Sequence, residues 1–204
     1  PYYLIKKYFE KTYSSSLDIL INKLIYSKIG ASSLTFNPNK TVNQKKIIPS
    51  EIDNYFRFGL LKGYVHDMGA AMLGGVAGHA GLFGNSLDVA KIMQLYLQKG
   101  KYGKSVFFKE EIFNEFNKCH FCKNDVRRGI GFDKPEIKDQ ENITCNCVSK
   151  ESFGHSGFTG TYAWADPETE IVYVFLSNRT FPSMENRKLI DYNIRTEIKK
   201  IVFN

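Results

Sequence analysis

The stretch "FGHSGFTGTYAWAD", residues 153–166, sets a histidine and a serine between glycines, directly ahead of a β-branched and aromatic run. A nucleophilic serine needs a base within hydrogen-bond reach and donors aimed at the developing oxyanion. The strand-turn-helix elbow that supplies both reads G-x-S-x-G. Gly154, His155 and Ser156 fit it, but Phe158 replaces the last glycine and a strand-like run follows where a helix is required. The elbow reading of Ser156 therefore fails. A second arrangement, S-x-x-K, sets a lysine one helical turn beyond the serine. No serine of this chain has a lysine three residues later, and no Tyr-x-Asn or Ser-x-Asn triplet occurs.

Around this stretch the pattern is that of strands. "TYAWAD" and "EIVYVFLSN" are joined by the turn "DPET", a Pro-containing connection between two β-prone runs. Trp164 reads as core and Asp166 as a turn residue. Upstream the pattern is helical. Leu4, Ile5, Tyr8 and Phe9 predict a helix over 2–13; Leu17, Leu20, Ile21, Leu24 and Ile25 predict one over 17–27, starting at Ser16. "SKIGASSLTFNPNKTVNQKK" carries the punctuation of a long surface loop. Residues 69–84, "GAAMLGGVAGHAGLFG", hold six glycines but not the G-x-G-x-x-G dinucleotide pattern. Asn85 or Ser86 then caps a helix with Asp88 in its first turn and Gly100 at its end; its stripe is Val89, Ile92, Met93, Tyr96 and Leu97. From Glu185 to Val202 helical spacing returns through Leu189, Ile190, Ile194, Ile198 and Ile201. Helices, a short antiparallel meander and a closing helix predict an α+β fold.

The 204 residues suffice for one domain with a core, and a composition 43% hydrophobic and 24% charged is that of an ordinary globular chain. No apolar run approaches the length of a membrane span. The net charge of +7 comes from lysines scattered as pairs such as Lys6–Lys7 and Lys45–Lys46, which argues for a solvated basic surface and against a nucleic-acid partner. Four cysteines stand as Cys119-x-x-Cys122 and Cys145-x-Cys147, with 22 residues between the pairs. Disulfides, free thiols and a thiolate zinc site with His120 as spare ligand are all open, each pinning a loop. No two histidines stand at H-x-x-x-H ligand spacing, and no organic cofactor is implied. His66, followed by Asp67, reads as a structural Asp–His contact.

The triplet His155-Ser156-Gly157 resembles the third motif of the penicillin-recognising serine hydrolases, Lys-Thr-Gly or His-Ser/Thr-Gly on the strand beside the cleft. "GYVHDMGAAMLGGVAGHAGLFGNSLDVAKIMQLYLQKG" and "GFTGTYAWADPETEIVYVFLSNR" extend the resemblance over nearly the whole chain. Together they resemble the C-terminal part of a class C β-lactamase-like serine hydrolase. The nearest subgroup is fused behind a β-N-acetylglucosaminidase-type glycoside hydrolase of cell-wall recycling. The resemblance implies a β-lactamase/transpeptidase-like fold, incomplete, with residues 1–204 as the C-terminal portion of a single domain. His155, Ser156 and Gly157 would be the third motif, with the Phe158 N–H aimed at the oxyanion. His79 and Ala80 would fall on the cleft rim, and Arg187 near a substrate carboxylate.

In the family the Ser-x-x-Lys nucleophile and the Tyr-x-Asn base precede the helix that "PYYLIKKYFEK" resembles. With Pro1 in place of a methionine, the expectation is a C-terminal portion, inactive alone, whose partner is the N-terminal part of the same polypeptide. A bacterial periplasmic or envelope location and a small acyl or peptide substrate are implied for the complete protein. Two other readings stand beside it: a non-catalytic module for a cell-wall ligand or partner, and a zinc-stabilised domain.

Overall fold

The helix predicted at the start of the chain forms as α1 (Tyr2–Tyr13) in the computed structural model, which describes residues 1–124, 126–135, 145 and 147–203. It ends at Ser14, whose left-handed backbone returns its N–H to the Glu10 carbonyl. The Glu10 side chain does two things at once. It pairs with Lys6 at 2.7 Å and accepts the N–H of Leu17 at 3.0 Å. The next helix, α2 (Leu17–Ile21), is therefore started by Glu10, because Ser16 caps it without a side-chain hydrogen bond. The predicted single helix over 17–27 changes at Asn22 into a π-helical turn, Asn22–Tyr26.

Contacts divide the chain into two compact units, Pro1–Asp88 with Ser177–Arg187, and Val89–Leu176 with Lys188–Asn204. In the first, the long predicted loop contributes β1 (Thr35–Phe36). The antiparallel hairpin of β2 (Pro49–Asp53) and β3 (Gly59–Lys62) follows. Next come α3 (Met68–Met72) and β4 (Leu82–Phe83), which pairs antiparallel with β1. The glycine-rich stretch lets backbone meet backbone: a side chain on Gly81, at φ 111°, would overlap the Gly75 carbonyl. A small core of Val65, Ala70 and Ala77 forms beneath it, with Ala80 packed alongside. Residues 177–187 close this unit against β2. Ile52 donates its N–H to the Pro182 carbonyl at 2.8 Å, and Thr180 Oγ1 donates to the Ser50 carbonyl at 2.7 Å.

Helix α4 (Ser86–Leu97) is capped by Asn85, whose Oδ1 accepts the Asp88 N–H at 2.9 Å. It terminates at Gly100, at φ 91°, as predicted. In the second unit it is followed by the hairpin of β5 (Lys101–Tyr102) and β6 (Ser105–Val106), then α5 (Glu110–Asn117). A three-stranded antiparallel sheet comes next, ordered β7 (Phe153–Ser156), β8 (Tyr162–Asp166), β9 (Ile171–Phe175). Side-chain alternation gives the sheet two covered faces. Phe153 and Ala165 pack with Met93 of α4 and Phe113 of α5. On the other face Tyr162, Trp164 and Tyr173 pack with Ile198 and Phe203.

The predicted closing helix is two pieces, α6 (Lys188–Asp191) and α7 (Ile194–Phe203). Its inward face also differs from the predicted one: Ile201 is 80% exposed, whereas Lys199 is fully buried. Asp166, predicted as a turn residue, is the buried last residue of β8, and it accepts the N–H and hydroxyl of Ser149 at 2.7 and 2.6 Å and the N–H of Glu168, in the turn, at 3.0 Å.

The cysteines pair locally, Cys119 with Cys122 and Cys145 with Cys147. No group of three or more His, Cys, Asp or Glu side chains that could hold a metal occurs among the described residues. Bridges this short remove little chain entropy from the unfolded state, about 2 kcal/mol each. They pin a turn, not the 22-residue stretch between the pairs.

Candidate functional site

Strand β7 owes its place to its register. Phe153 faces Ala165, Gly154 faces Trp164, His155 faces Ala163 and Ser156 faces Tyr162. Gly154 lies against the Trp164 indole so closely that any side chain there would overlap the ring and the Ala163 carbonyl. On the edge away from β8, Gly154 exchanges both backbone hydrogen bonds with Asp133: N–H to carbonyl at 3.2 Å and carbonyl from N–H at 2.8 Å. The loop carrying Asp133 is fixed by Lys134, whose buried ammonium donates to the Glu151 carbonyl at 3.0 Å and to Asn117 Oδ1 at 3.3 Å. Burial pulls that ammonium down to about 8.

Backbone groups alternate sides along a strand, so Ser156 presents its N–H and carbonyl to the same edge as Gly154. Asp133 meets only Gly154; beyond it, no further strand pairs with β7 among the described residues. The strand then folds back through a tight turn. Gly157 donates its N–H to the Thr161 carbonyl at 2.8 Å, and a side chain on Gly157 would overlap Thr161 Oγ1. Phe158, at the tip, is 61% exposed.

His155 and Ser156 are both exposed. The His155 Nδ1–H donates to the Ser156 carbonyl at 2.7 Å, which leaves Nε2 facing outward and fixes the tautomer of a neutral ring. The imidazole thus serves a backbone oxygen. Among the described residues no histidine, lysine or carboxylate side chain hydrogen-bonds Ser156 Oγ. A hydroxyl without a base is a binding group and not an activated nucleophile. What this segment offers chemically is a strand edge and a hydroxyl beside a tight turn.

The first unit holds the other predicted residues. His79 Nε2 lies 2.9 Å from Asp67 Oδ1, and its ring meets Tyr3 edge-on with centroids 4.9 Å apart. The same Asp67 oxygen caps α3 by accepting the Ala70 N–H at 2.7 Å. Burial pushes the Asp67 carboxyl up, but the Ala70 N–H and the His79 imidazole outweigh it and hold it below its usual range. His79 and Ala80 help line a 420 Å³ cavity with Tyr2, Ile5 and Phe9 of α1. Arg187 is exposed, and the guanidinium that organises its segment is that of Arg179. Arg179 Nη1 donates to the carbonyls of Met184 and Asn186 at 2.9 and 2.8 Å.

His66 has a partner that its neighbourhood in sequence does not indicate. His66 Nε2 lies 2.9 Å from Glu51 Oε2, a carboxylate that also accepts the Tyr55 hydroxyl at 2.8 Å and the Met184 N–H at 3.0 Å. Burial and the Glu51 carboxylate push the Tyr55 hydroxyl up to about 12. Beside it, buried Asp53 accepts the N–H groups of Tyr55, Phe56 and Arg57 and the Arg57 side chain at 3.0 Å. Burial raises the Asp53 carboxyl, but these donors outweigh burial and hold it well below the usual range. Arg57 then reaches the carbonyls of Val65 and His66, which fixes the backbone just ahead of Asp67. Sequence reasoning missed this network. The only signal was "EIDNYFRFG", whose acidic residues alternate with Ile52 in a strand-like period.

The family model described as Beta-lactamase matches residues 3–196. The chain belongs to the beta-lactamase family. Among curated beta-lactamase-family relatives, the Escherichia coli K12 protein named "Putative D-alanyl-D-alanine carboxypeptidase" is 31% identical over 190 residues, covering 87% of this chain and 43% of its own length. A Salmonella agona protein of the same name is 30% identical over 188 residues, with 85% of this chain and 42% of its own length covered. The chain thus spans less than half the length of the curated relatives it matches. In structure it is similar to a beta-lactamase from Mycobacterium bovis, with TM-score 0.61 and 14% identity over 99% of this chain and 62% of that one. It is also similar to simvastatin synthase from Aspergillus terreus, with TM-score 0.62 and 12% identity over 98% of this chain and 52% of that one. At these identities the likeness establishes the beta-lactamase/transpeptidase-like fold, with mixed helices and short antiparallel sheets.

Proposed function

We propose that this chain is the substrate-holding part of a serine hydrolase of the D-Ala-D-Ala carboxypeptidase kind. The observation that carries the proposal is the edge of β7 at Ser156, which no strand among the described residues covers, on a chain of the beta-lactamase family. A peptide laid against that edge would pair with the Ser156 backbone, while the Phe158 N–H would face the oxyanion of an acyl intermediate. The attacking serine and its lysine would come from residues outside these 204, since the sequence holds no Ser-x-x-Lys or Tyr-x-Asn. That serine would form an acyl-enzyme and release the C-terminal D-alanine as the protonated amine, and water would then free the acid. Substrate contacts by His79, Ala80 and Arg187, an envelope location and linkage to a β-N-acetylglucosaminidase belong to the same proposal.

Intact mass after incubation with a penicillin and with a fluorophosphonate tests it. The chain alone is expected to gain no adduct, and the chain joined to the residues preceding it in its gene is expected to gain one. An adduct on Ser156 would overturn the assignment of roles. One second reading is a non-catalytic module for cell-wall ligands, since among the described residues no base hydrogen-bonds Ser156 Oγ. Saturable binding of a D-Ala-D-Ala peptide, with no adduct in either form, would support that reading instead.

A further inference from the structure

The hydrolase reading uses neither cysteine pair. Cys119 and Cys122 lie three residues apart, between the end of α5 and a single 3-10 turn, Cys122–Asn124. The backbone around them is held without the sulfurs. Lys118 donates its N–H to the Asn114 carbonyl at 3.0 Å, Asn124 to Phe121 at 2.9 Å, Val126 to Phe121 at 3.3 Å and Ile130 to Phe116 at 2.7 Å. Opening the bridge therefore leaves the local fold its hydrogen bonds.

The pair is also furnished for its reduced form. Cys119 Sγ lies 3.5 Å from the Val126 carbonyl oxygen. A disulfide sulfur has no hydrogen to give, whereas a thiol would donate one to that oxygen. Lys118 directly precedes Cys119 in sequence, and a neighbouring cation favours the thiolate that exchange requires. His120 is placed by its Nε2, 3.0 Å from the Glu115 carbonyl. Cys119 and Cys122 are half-buried and Phe121 between them is 63% exposed, so the bridge lies at the surface and not in the core.

We propose that Cys119–Cys122 is a thiol–disulfide exchange site and not a staple. The thiolate of a donor attacks one sulfur and forms a mixed disulfide. The other cysteine leaves as a thiolate and takes a proton from water. A second donor thiol then attacks the mixed disulfide. In sum, two thiols give two electrons and two protons to the pair and depart as their own disulfide. Residues 141–144 and 146, beside Cys145 and Cys147, lie outside the described residues, so the inference is confined to the first pair.

The test equilibrates the chain, purified without reductant, in buffers of graded reduced-to-oxidised glutathione, followed by alkylation and peptide mass analysis. Cys119 and Cys122 are expected to interconvert reversibly between disulfide and dithiol, with Trp164 fluorescence unchanged. The melting temperature should fall by no more than about 8 °C on reduction. Cys122→Ser is expected to take up one glutathionyl group on Cys119. Four results would overturn the proposal: a bridge that opens only when the chain unfolds, thiols that stay reduced at the oxidised end, Cys119 bonded to Cys145 or Cys147, or a C119S/C122S double variant that fails to fold. Since none of these readouts involves acyl transfer, failure here leaves the hydrolase reading untouched.

Discussion

The Lys199 ammonium sits 4.4 Å from the centre of the Trp164 ring, fully buried between α7 and the sheet. It also donates to the Tyr162 hydroxyl, 3.0 Å away. A desolvated cation over an indole face contributes about 2 kcal/mol, and the lysine stem adds its own packing. Lys199→Ala is therefore expected to lower stability by about 2–4 kcal/mol, and Lys199→Met, which keeps the stem, by about half as much. Urea unfolding followed by Trp164 fluorescence measures both; equal losses would mean that the charge contributes nothing.

The same cluster predicts an alkaline limb. Burial pushes the Tyr162 hydroxyl above its ordinary value of 10.0. The unfolded chain thus releases this proton first, and stability present below pH 10 is lost as pH rises beyond it. Tyr162→Phe should flatten that limb in urea titrations between pH 9 and about 11. An unchanged slope would place the lost proton elsewhere.

Asp53 predicts the opposite limb. Its carboxyl is held below its ordinary value of 3.8, so its contribution is present above that pH and is lost as pH falls below it. Asp53→Ala strands the Arg57 guanidinium and three N–H groups and is expected to cost about 3–5 kcal/mol. Acid unfolding monitored by circular dichroism should lose its steep part below pH 3.8 in the variant.

Gly154→Ala forces a methyl group into the Trp164 ring. Moving that indole disturbs both the sheet and the Lys199 contact, and overpacking of this kind costs about 1–3 kcal/mol. The single tryptophan reports the displacement as a shifted emission maximum. An unshifted spectrum with full stability would show that the strand can yield.

Phe158 separates side chain from backbone. In the enzyme carrying its nucleophile, Phe158→Pro removes the N–H assigned to the oxyanion, and kcat/KM for a D-Ala-D-Ala peptide should fall by about 10²–10³. Phe158→Ala keeps the N–H and should stay within a few-fold. Similar losses in both would assign the effect to the ring.

The legible parts of the fold were those where apolar residues repeat at the period of the element, even where they end up exposed, as Leu4 and Tyr8 of α1 do. α1, α4 with its Asn85 cap and Gly100 stop, and the β8–β9 pair follow directly from their spacing. The β2–β3 hairpin inverts the rule. Glu51 and Asp53 point inward, while Ile52 and Leu60 are 52% and 55% exposed, so a pattern read for buried apolar residues finds no strand. α7 fails for the same reason, with Lys199 inside and Ile201 outside. In the candidate site, the residues on β7 were legible through their resemblance to a motif. The partners of His66 and His79 were not, because Glu51 and Asp67 reach them through tertiary contacts that adjacency in sequence does not encode.

The closure of the first unit by residues 177–187 bears on how a ribosome delivers this chain. Ser50 and Thr180 are bonded across 130 residues, which take roughly ten seconds or more to polymerise at cellular rates. Throughout that interval the nascent β2 has only β3 beside it, and the Glu51 carboxylate has yet to receive the Met184 N–H. Residues 89–176, by contrast, already contain the whole three-stranded sheet. That sheet in turn waits for α7, which covers one of its faces and emerges later still. Both units are thus completed by the last residues made, and a translational stall before Met184 would leave the Glu51 carboxylate short of a donor and one face of the sheet bare to chaperones and proteases.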